Sequence, residues 1–157
     1  MEELCIKSVV GVCQMEELPQ ADQDLLEIAI QSTERSYAPY SRFHVGAAIR
    51  LKDGTILPGC NQENAAFPAG LCAERSAIFA AGAQYPDQPV SAIAIAARGT
   101  DGKLTEEPVS PCGTCRQVMI ETEIRFNQPI HVLLYGRKNI YVVEGVRTLM
   151  PLSFTEF

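Results

Sequence analysis

The sequence predicts an α/β fold, a three-layer α/β/α sandwich around a five-stranded mixed sheet. Helix-like and strand-like patterns alternate along the chain in the order α, β, β, α, β, α, β, β. Asp53-Gly54 separates two apolar runs, as the turn of a β-hairpin does. The predicted strand over 90–97 is apolar except for Ser91, typical of a strand that is buried on both faces. The 157 residues suffice for one such domain with a core of its own.

Turn and cap signals divide this domain into its elements. Pro19 precedes the first helical pattern, and Ser110-Pro111 supplies an N-cap and a first-turn proline for the last one. Helices are predicted at about 20–38, 69–83 and 110–123, and strands near 44–52, 55–61, 90–97, 130–135 and 140–143. Residues 1–20 show no clear periodicity, so we expect an N-terminal extension over 1–20 and the folded domain over 21–157.

Composition and charge exclude several classes of function. The net charge of −6 argues against a protein that binds the nucleic-acid backbone, because such a protein needs a basic face. The longest apolar run, Ala92–Ala97, is far too short to cross a bilayer, so we expect no membrane partner. The N-terminus opens with acidic residues rather than the basic region of a secretory signal. We therefore expect a cytoplasmic protein.

The cysteines suggest a metal site. Cys112 and Cys115 are three residues apart at the start of a predicted helix, where they share one face and the helix dipole favours thiolates. Cys72 lies near the start of the preceding helix. Two helix N-termini that converge would hold three thiolates around a cation, and Zn²⁺ is the natural choice. Only three ligands are evident, so a fourth position stays open for water, as in catalytic zinc sites.

Glu74 and Arg75 follow Cys72 directly and suggest chemistry beside this metal. Residues two apart on a regular helix point about 200° away from each other. Cys72 and Glu74 therefore reach the same site only if Cys72 lies in an irregular first turn, with the metal off the helix end. Glu74 would then be a proton shuttle rather than a ligand. Arg75 would offset the negative charge of three thiolates on a dication.

These motifs resemble a known family. C-A-E followed by P-C-x-x-C is similar to the signature of zinc-dependent nucleoside deaminases. The stretches YAPYSRFHVGAA, GCNQENAAFPAGLCAERSA, VSPCGTCRQ and LMPLSF resemble the small homotetrameric cytidine deaminases, over residues 21 to 155. The resemblance implies a cytidine deaminase fold with its catalytic domain over 21–157 and one zinc ion per subunit on Cys72, Cys112 and Cys115. It also implies hydrolysis of cytidine and deoxycytidine to uridine and deoxyuridine plus ammonia in pyrimidine salvage.

The resemblance assigns roles to further residues. It implies that Glu74 moves protons between water, N3 of cytosine and the departing ammonia, and that the Ala73 backbone contacts the pyrimidine carbonyl. Asn61 and Glu63 match residues that hold the ribose 3′-hydroxyl, and Phe43 matches an aromatic that packs on the base. Three positions match residues that reach a neighbouring subunit's site: Ala65, Phe67 and Phe154. Phe67 stands where many relatives have tyrosine, so any contact through that hydroxyl is absent here.

Two alternatives stay open at this point. The chain could deaminate another aminopyrimidine nucleoside such as blasticidin S, although Asn61 and Glu63 favour an unmodified ribose. It could instead be a structural zinc module that uses Cys60 as the fourth ligand and binds nucleic acid, against which the acidic charge counts. The sequence shows no basic channel for a DNA or RNA strand, so we expect a free nucleoside as the substrate.

Overall fold

A computed structural model describes residues 1–155, and residues 156 and 157, the end of the predicted domain, lie outside the described residues. The helices are α1 (Gln20–Ser32), α2 (Ala73–Gln84) and α3 (Gly113–Phe126). The strands are β1 (Gly11–Cys13), β2 (His44–Leu51), β3 (Ile56–Cys60), β4 (Val90–Arg98), β5 (His131–Tyr135) and β6 (Ile140–Glu144). They form one mixed sheet in the order β1-β6-β5-β4-β2-β3, in which only the β4–β5 pair is parallel among the described strands.

The number of strands corrects the sequence prediction, because the sheet has six strands rather than five. The additional strand, β1, lies inside the predicted N-terminal extension and pairs with the edge of β6, from Gly11 opposite Val142 to Cys13 opposite Ile140. It is three residues long and mostly exposed, so it lacks the alternation of apolar and polar residues that reveals a half-buried strand.

The helices cover both faces of the sheet. Ile93 and Ile95 of β4 point into a core shared with α2 and α3, whereas the alternate residues Ala92 and Ala94 face α1. This alternation follows from the two-residue period of a strand, and it confirms that β4 is buried on both faces. Small alanines on one face and large isoleucines on the other set how closely each helix layer approaches.

Two glycines bring helices against the hairpin strands. A Cβ atom on Gly46 would lie 2.1 Å from the carbonyl oxygen of Ala29 in α1. A Cβ atom on Gly59 would lie 2.5 Å from the carbonyl oxygen of Ala73, the first residue of α2. Any side chain at either position would push the helix away. Gly59 therefore places the start of α2 directly against β3.

The helix boundaries differ from the predicted ones. The second helix begins at Ala73 rather than near residue 69, because Phe67–Ala69 form a separate 3₁₀ turn. The third begins at Gly113, so Ser110 and Pro111 precede its N-cap instead of forming it. The first ends at Ser32, and a 3₁₀ turn over Thr33–Arg35 follows it. Over residues 1–155, none of the helices has the length and hydropathy that crossing a bilayer requires.

Candidate active site

Two of the cysteines occupy equivalent positions at the ends of two helices. Cys72 is the N-cap of α2, with φ −71° and ψ 159°, and Cys112 is the N-cap of α3, with φ −67° and ψ 164°. Cys115 lies one turn further along α3 and is buried. The extended backbone at Cys72 confirms that the site lies off the start of α2, as the two-residue spacing to Glu74 requires. Both helices direct the positive ends of their dipoles at the thiols.

The three sulfur atoms fit a tetrahedral metal ion. Their Sγ atoms all lie within 4.8 Å of one another, and the Sγ atoms of Cys72 and Cys112 are 3.9 Å apart. Two thiolates on a tetrahedral Zn²⁺ with Zn–S bonds of about 2.3 Å would be about 3.8 Å apart. The cluster is therefore positioned to bind zinc and leaves the fourth position to a ligand from outside this group.

The thiols of the cluster differ in how readily they lose their protons. Hydrogen bonds from Cys115, Arg75 and Cys112 lower the pKa of Cys72 to about 5. The hydrogen bond to Cys72, together with burial, raises the pKa of Cys115 far above its usual range. Cys72 is therefore a thiolate at neutral pH, whereas Cys115 keeps its proton and donates it in a hydrogen bond to Cys72. A bound dication would stabilise the Cys72 thiolate in place of that hydrogen bond, and the proton of Cys115 would be released.

Arg75 lies beside the metal cluster. Its guanidinium Nη2 is 3.6 Å from the Sγ atom of Cys72 and donates to it. Arg75 is the side chain that the sequence suggested as a counter-charge for the thiolates. A partner that hydrogen-bonds a metal ligand orients that ligand and moderates the charge it presents to the metal.

Glu74 is a buried carboxyl group in the first turn of α2, with 4% of its surface exposed. Burial, reinforced by the negative charge of Cys72, raises the pKa of this carboxyl group above its usual value. A carboxyl group whose pKa lies closer to neutrality both accepts and donates protons more readily in a reaction at neutral pH. Glu74 therefore has the environment of a general acid–base group.

A cleft opens next to these residues. It has a volume of about 550 Å³, a size typical of pockets for small molecules, and Cys72 and Arg75 are part of its wall. Gln62 and Leu71 exchange two backbone hydrogen bonds of 2.9 Å, which close the intervening loop at its base. The remaining wall consists of polar and aromatic side chains at the cleft rim, together with two loop residues: Tyr40, Ser41, Asn61, Gln62, Glu63, Asn64, Phe67, Gly70 and Leu71.

Asn61 and Glu63 are engaged in hydrogen bonds within the chain. The Asn61 side chain accepts from the Val45 amide at 2.8 Å and donates to the Phe43 carbonyl at 2.9 Å. Glu63 accepts from the backbone amides of Tyr40 and Ser41 at 2.9 and 3.2 Å and also from the Ser41 hydroxyl. That hydroxyl, followed by the two amides, lowers the pKa of Glu63, so its carboxylate is ionised. Each side chain keeps limited capacity for a further hydrogen bond.

The other predicted site residues lie at varying distances from the cleft wall. Phe43 is half-buried and hydrogen-bonds Asn61 through its carbonyl, and Ala73 is fully buried with its amide at the first position of α2. Ala65, Phe67 and Phe154 are exposed, and Phe67 packs edge-on against Tyr40 with ring centroids 6.2 Å apart. Cys60 lies outside the cysteine cluster at the end of β3, where its sulfur accepts from Gln62.

Two residues that position the site were not identified from the sequence. Ser41 holds Glu63 through its hydroxyl and its amide, and Gly59 admits the start of α2. The glycine next to Cys60 in a strand was a signal for close backbone approach, because a glycine inside a strand often marks such a site. No pattern in the sequence indicated the pairing of Ser41 with Glu63.

Three cysteines positioned for a metal ion and a buried carboxyl group beside them are the equipment of a metal-dependent hydrolytic enzyme. The model of the cytidine and deoxycytidylate deaminase zinc-binding region matches residues 19–127. The chain belongs to this family. Cytidine deaminase of Halalkalibacterium halodurans is 48% identical over 99 residues, which are 63% of this chain and 70% of the relative. Cytidine deaminase of Sporosarcina psychrophila is 39% identical over 134 residues, 85% of this chain and 91% of the relative.

A solved structure supports the same family assignment. The crystal structure of cytidine deaminase from Burkholderia pseudomallei matches with a TM-score of 0.71 and 39% sequence identity. The match covers 83% of this chain and 97% of that one. The similarity therefore extends beyond the zinc-binding motifs to most of the fold.

Proposed function

We propose that this protein hydrolyses cytidine and deoxycytidine to uridine and deoxyuridine plus ammonia, as in pyrimidine salvage. The observation that carries the proposal is the buried Glu74 carboxyl group next to three convergent cysteines, one of which, Cys72, lines a small-molecule cleft. The names of the relatives supply the substrate class, since those just described are cytidine deaminases.

Cys72, Cys112 and Cys115 would hold one Zn²⁺ per chain, and that ion, when bound, lowers the pKa of water so that hydroxide is available at neutral pH. Glu74 accepts a proton from the attacking water at its carboxylate and delivers it to N3 of the cytosine ring. It then accepts a second proton, from the new hydroxyl on C4, and delivers it to the departing amine. Its raised pKa favours both steps. Arg75 donates to Cys72 and so limits the charge that this thiolate presents.

The substrate would lie against the rim of the cleft. The amide of Ala73, as the first helical residue, has no acceptor within α2 and is available to the pyrimidine carbonyl. Asn61 and Glu63 would hold the ribose 3′-hydroxyl with the hydrogen-bonding capacity that their internal contacts leave, and Phe43 would pack on the base. Among the described residues of the cleft wall, the charged ones are Glu63, Arg75 and the Cys72 thiolate. A carboxylate and an engaged guanidinium favour a neutral nucleoside over a phosphorylated one.

The site would be completed by neighbouring subunits of a homotetramer, through Ala65, Phe67 and Phe154. The exposure of Phe67 and Phe154, 78% and 64%, supports this arrangement, because large aromatics of this exposure are common at subunit interfaces. Analytical ultracentrifugation tests it: we expect a tetramer at the concentrations of the assay, and a fully active monomer would contradict the shared site.

We retain the division into an N-terminal extension over 1–20 and a catalytic domain over 21–157. The family match begins at residue 19, which supports this boundary. We also place the protein in the cytoplasm, since zinc ligation by three thiolates needs reduced cysteines, and the cysteines described are free.

An ultraviolet assay tests the proposed reaction. Wild-type protein is incubated with cytidine, deoxycytidine, cytidine monophosphate and blasticidin S, and loss of the cytosine absorbance is followed. We expect turnover of the two unmodified nucleosides and little of the monophosphate. Preference for blasticidin S would point instead to a deaminase of modified nucleosides, and no turnover of any of the four would contradict the proposal.

Glu74→Gln tests the shuttle in the same assay. We expect a loss of about 10³-fold in kcat, since general acid–base groups contribute on the order of 10² to 10⁴. Glu121→Gln, the same substitution at an exposed position of α3, is the matched control and should retain full activity.

A further inference from the structure

Arg116 follows the last cysteine of the cluster and connects two distant parts of the chain. Its Nε donates to the carbonyl of Pro111 at 2.8 Å, and its Nη1 donates to the carbonyl of Leu149. Pro111 directly precedes the N-cap Cys112, and Leu149 ends the 3₁₀ helix Val146–Leu149. One half-buried guanidinium therefore joins the loop that carries a metal ligand to the C-terminal segment.

The next residue extends this connection. Gln117 donates from Nε2 to the carbonyl of Phe154 at 2.8 Å. The side chains at positions 116 and 117 thus contact three backbone carbonyls, one before Cys112 and two in the segment 149–154. The first turn of α3 is the place where the metal ligands and the C-terminal segment are held together.

An arginine is suited to this position by its shape. The guanidinium is planar and presents its N–H groups in a fixed fork, so bonds to two carbonyls constrain the position of each relative to the other. Cys112 makes no side-chain cap hydrogen bond, and its carbonyl accepts from the Arg116 amide at 2.9 Å, so its placement depends on α3 and on the loop that precedes it. The contact with Pro111 supplies that constraint one residue away from the ligand.

We propose that Arg116 is a positioning residue for the metal site, which holds the Cys112 loop and the C-terminal segment in register on α3. The inference rests on zinc binding at Cys72, Cys112 and Cys115. Loss of the guanidinium should free the loop and accelerate release of zinc. Residues that orient metal ligands typically contribute on the order of 10- to 100-fold to metal affinity.

The test follows transfer of zinc from the zinc-loaded protein to a chromogenic chelator. Arg116→Met keeps the long side chain and removes the donors, and we expect zinc release about tenfold faster than wild type. Arg116→Lys keeps a charged donor without the planar fork. It should release zinc at a rate between those of the wild type and Arg116→Met. Gln117→Leu should release zinc at the wild-type rate but show faster amide exchange in residues 150–155.

Two controls separate positioning from loss of stability. Arg125 lies on the same helix and also donates to a backbone carbonyl, that of Pro86 at 2.6 Å, but lies at the end away from the cysteines. Arg125→Met should leave zinc release unchanged. Ile120→Val removes one buried methylene from the same helix and gives a variant with a lowered Tm for comparison.

The inference is overturned if Arg116→Met releases zinc at the wild-type rate, or no faster than Ile120→Val when the two have the same loss of Tm. If Arg116→Met does not fold, Arg116→Lys decides the matter by the same criterion. A wild-type protein that binds no zinc at all would overturn the proposed function as well. A zinc-loaded wild type with an inert Arg116 would overturn this inference alone.

Discussion

The metal end of the cleft and its rim are built on different kinds of backbone. Cys72 and Cys112 are N-caps of two helices, with Cys115 and Glu74 in the first turns that follow. The rim lies in or beside loops that are held by side-chain hydrogen bonds within the chain. It comprises Tyr40, Ser41, Asn61, Glu63 and Phe67. The metal end therefore owes its geometry to regular structure, and the rim owes its geometry to a few polar side chains.

This difference separates the chemistry from the recognition of the substrate. The thiols and the Glu74 carboxyl group are placed by helices that pack against the core, whereas Phe67 and Tyr40 are largely exposed. Substitutions at the metal end should abolish the reaction. Substitutions at the rim should change substrate affinity and leave the chemical step intact.

The largest effect is expected from loss of a metal ligand. Cys112→Ser and Cys115→Ser should lower zinc affinity by more than about 100-fold, because removal of a ligand exceeds the effect of removing its supporting partner. Both variants should be inactive, with zinc content measured by atomic absorption. Cys60→Ser is the matched control, since Cys60 lies outside the cluster. Loss of zinc in Cys60→Ser would mean that the metal site has been misassigned.

A smaller effect is expected at the rim from Glu63→Gln. The amide would face donors from Tyr40 and Ser41 with fewer acceptor sites, so the loop and the proposed ribose contact would both weaken. We expect KM for cytidine to rise about tenfold, as for the loss of one hydrogen bond to a charged group, with kcat within about threefold of wild type. Glu27→Gln on the exposed surface of α1 is the control. A fall in kcat with unchanged KM would contradict a role confined to binding.

The pH dependence of stability should report the same carboxylate. The pKa of Glu63 is lowered from its ordinary value near 4.5, so the ionised form is favoured in the folded state. The stability it contributes is present above pH 4.5 and is lost as the pH falls through the lowered value. The Tm difference between wild type and Glu63→Gln should therefore shrink below pH 4.5. A difference that stays constant or grows on acidification would show that the Ser41 contact is not the cause.

The smallest effect is expected from Phe67→Tyr, which adds one hydroxyl group to the ring. Phe67 is 78% exposed and packs on Tyr40 through its ring edge, so a hydroxyl can be added without disturbing the core. We expect KM for cytidine to change less than about threefold, below the effect of one full hydrogen bond. A tenfold change would show that this position contacts the substrate or a neighbouring subunit more closely than proposed.

Each half of the metal end could be predicted from the sequence, because the residues within each half are close together in the chain. The spacing of Cys112 and Cys115 and the two-residue step from Cys72 to Glu74 define directions on a helix. They required Cys72 to lie at the irregular start of α2 rather than in its middle, and the structure has it at the N-cap. Short-range geometry of this kind follows from the helical repeat without knowledge of the tertiary fold.

The remaining features depend on contacts between distant parts of the chain. Strand β1 forms because Gly11–Cys13 finds the free edge of β6, more than a hundred residues away. The start of α3 was predicted too early, since Ser110-Pro111 fits the preferences for a cap and first turn better than Cys112-Gly113, where the helix begins, does. The hydrogen bonds from Ser41 to Glu63 and from Arg116 to Leu149 join loops whose proximity only the fold determines.

X-ray absorption at the zinc edge of the wild-type protein tests the central claim most directly. A catalytic site on Cys72, Cys112 and Cys115 predicts three sulfur ligands at about 2.3 Å and one oxygen ligand from water. Addition of a cytidine-like inhibitor should change the oxygen ligand and leave the three sulfur ligands in place. Four sulfur ligands and no oxygen would contradict the account, because a closed site has no position at which water could be activated.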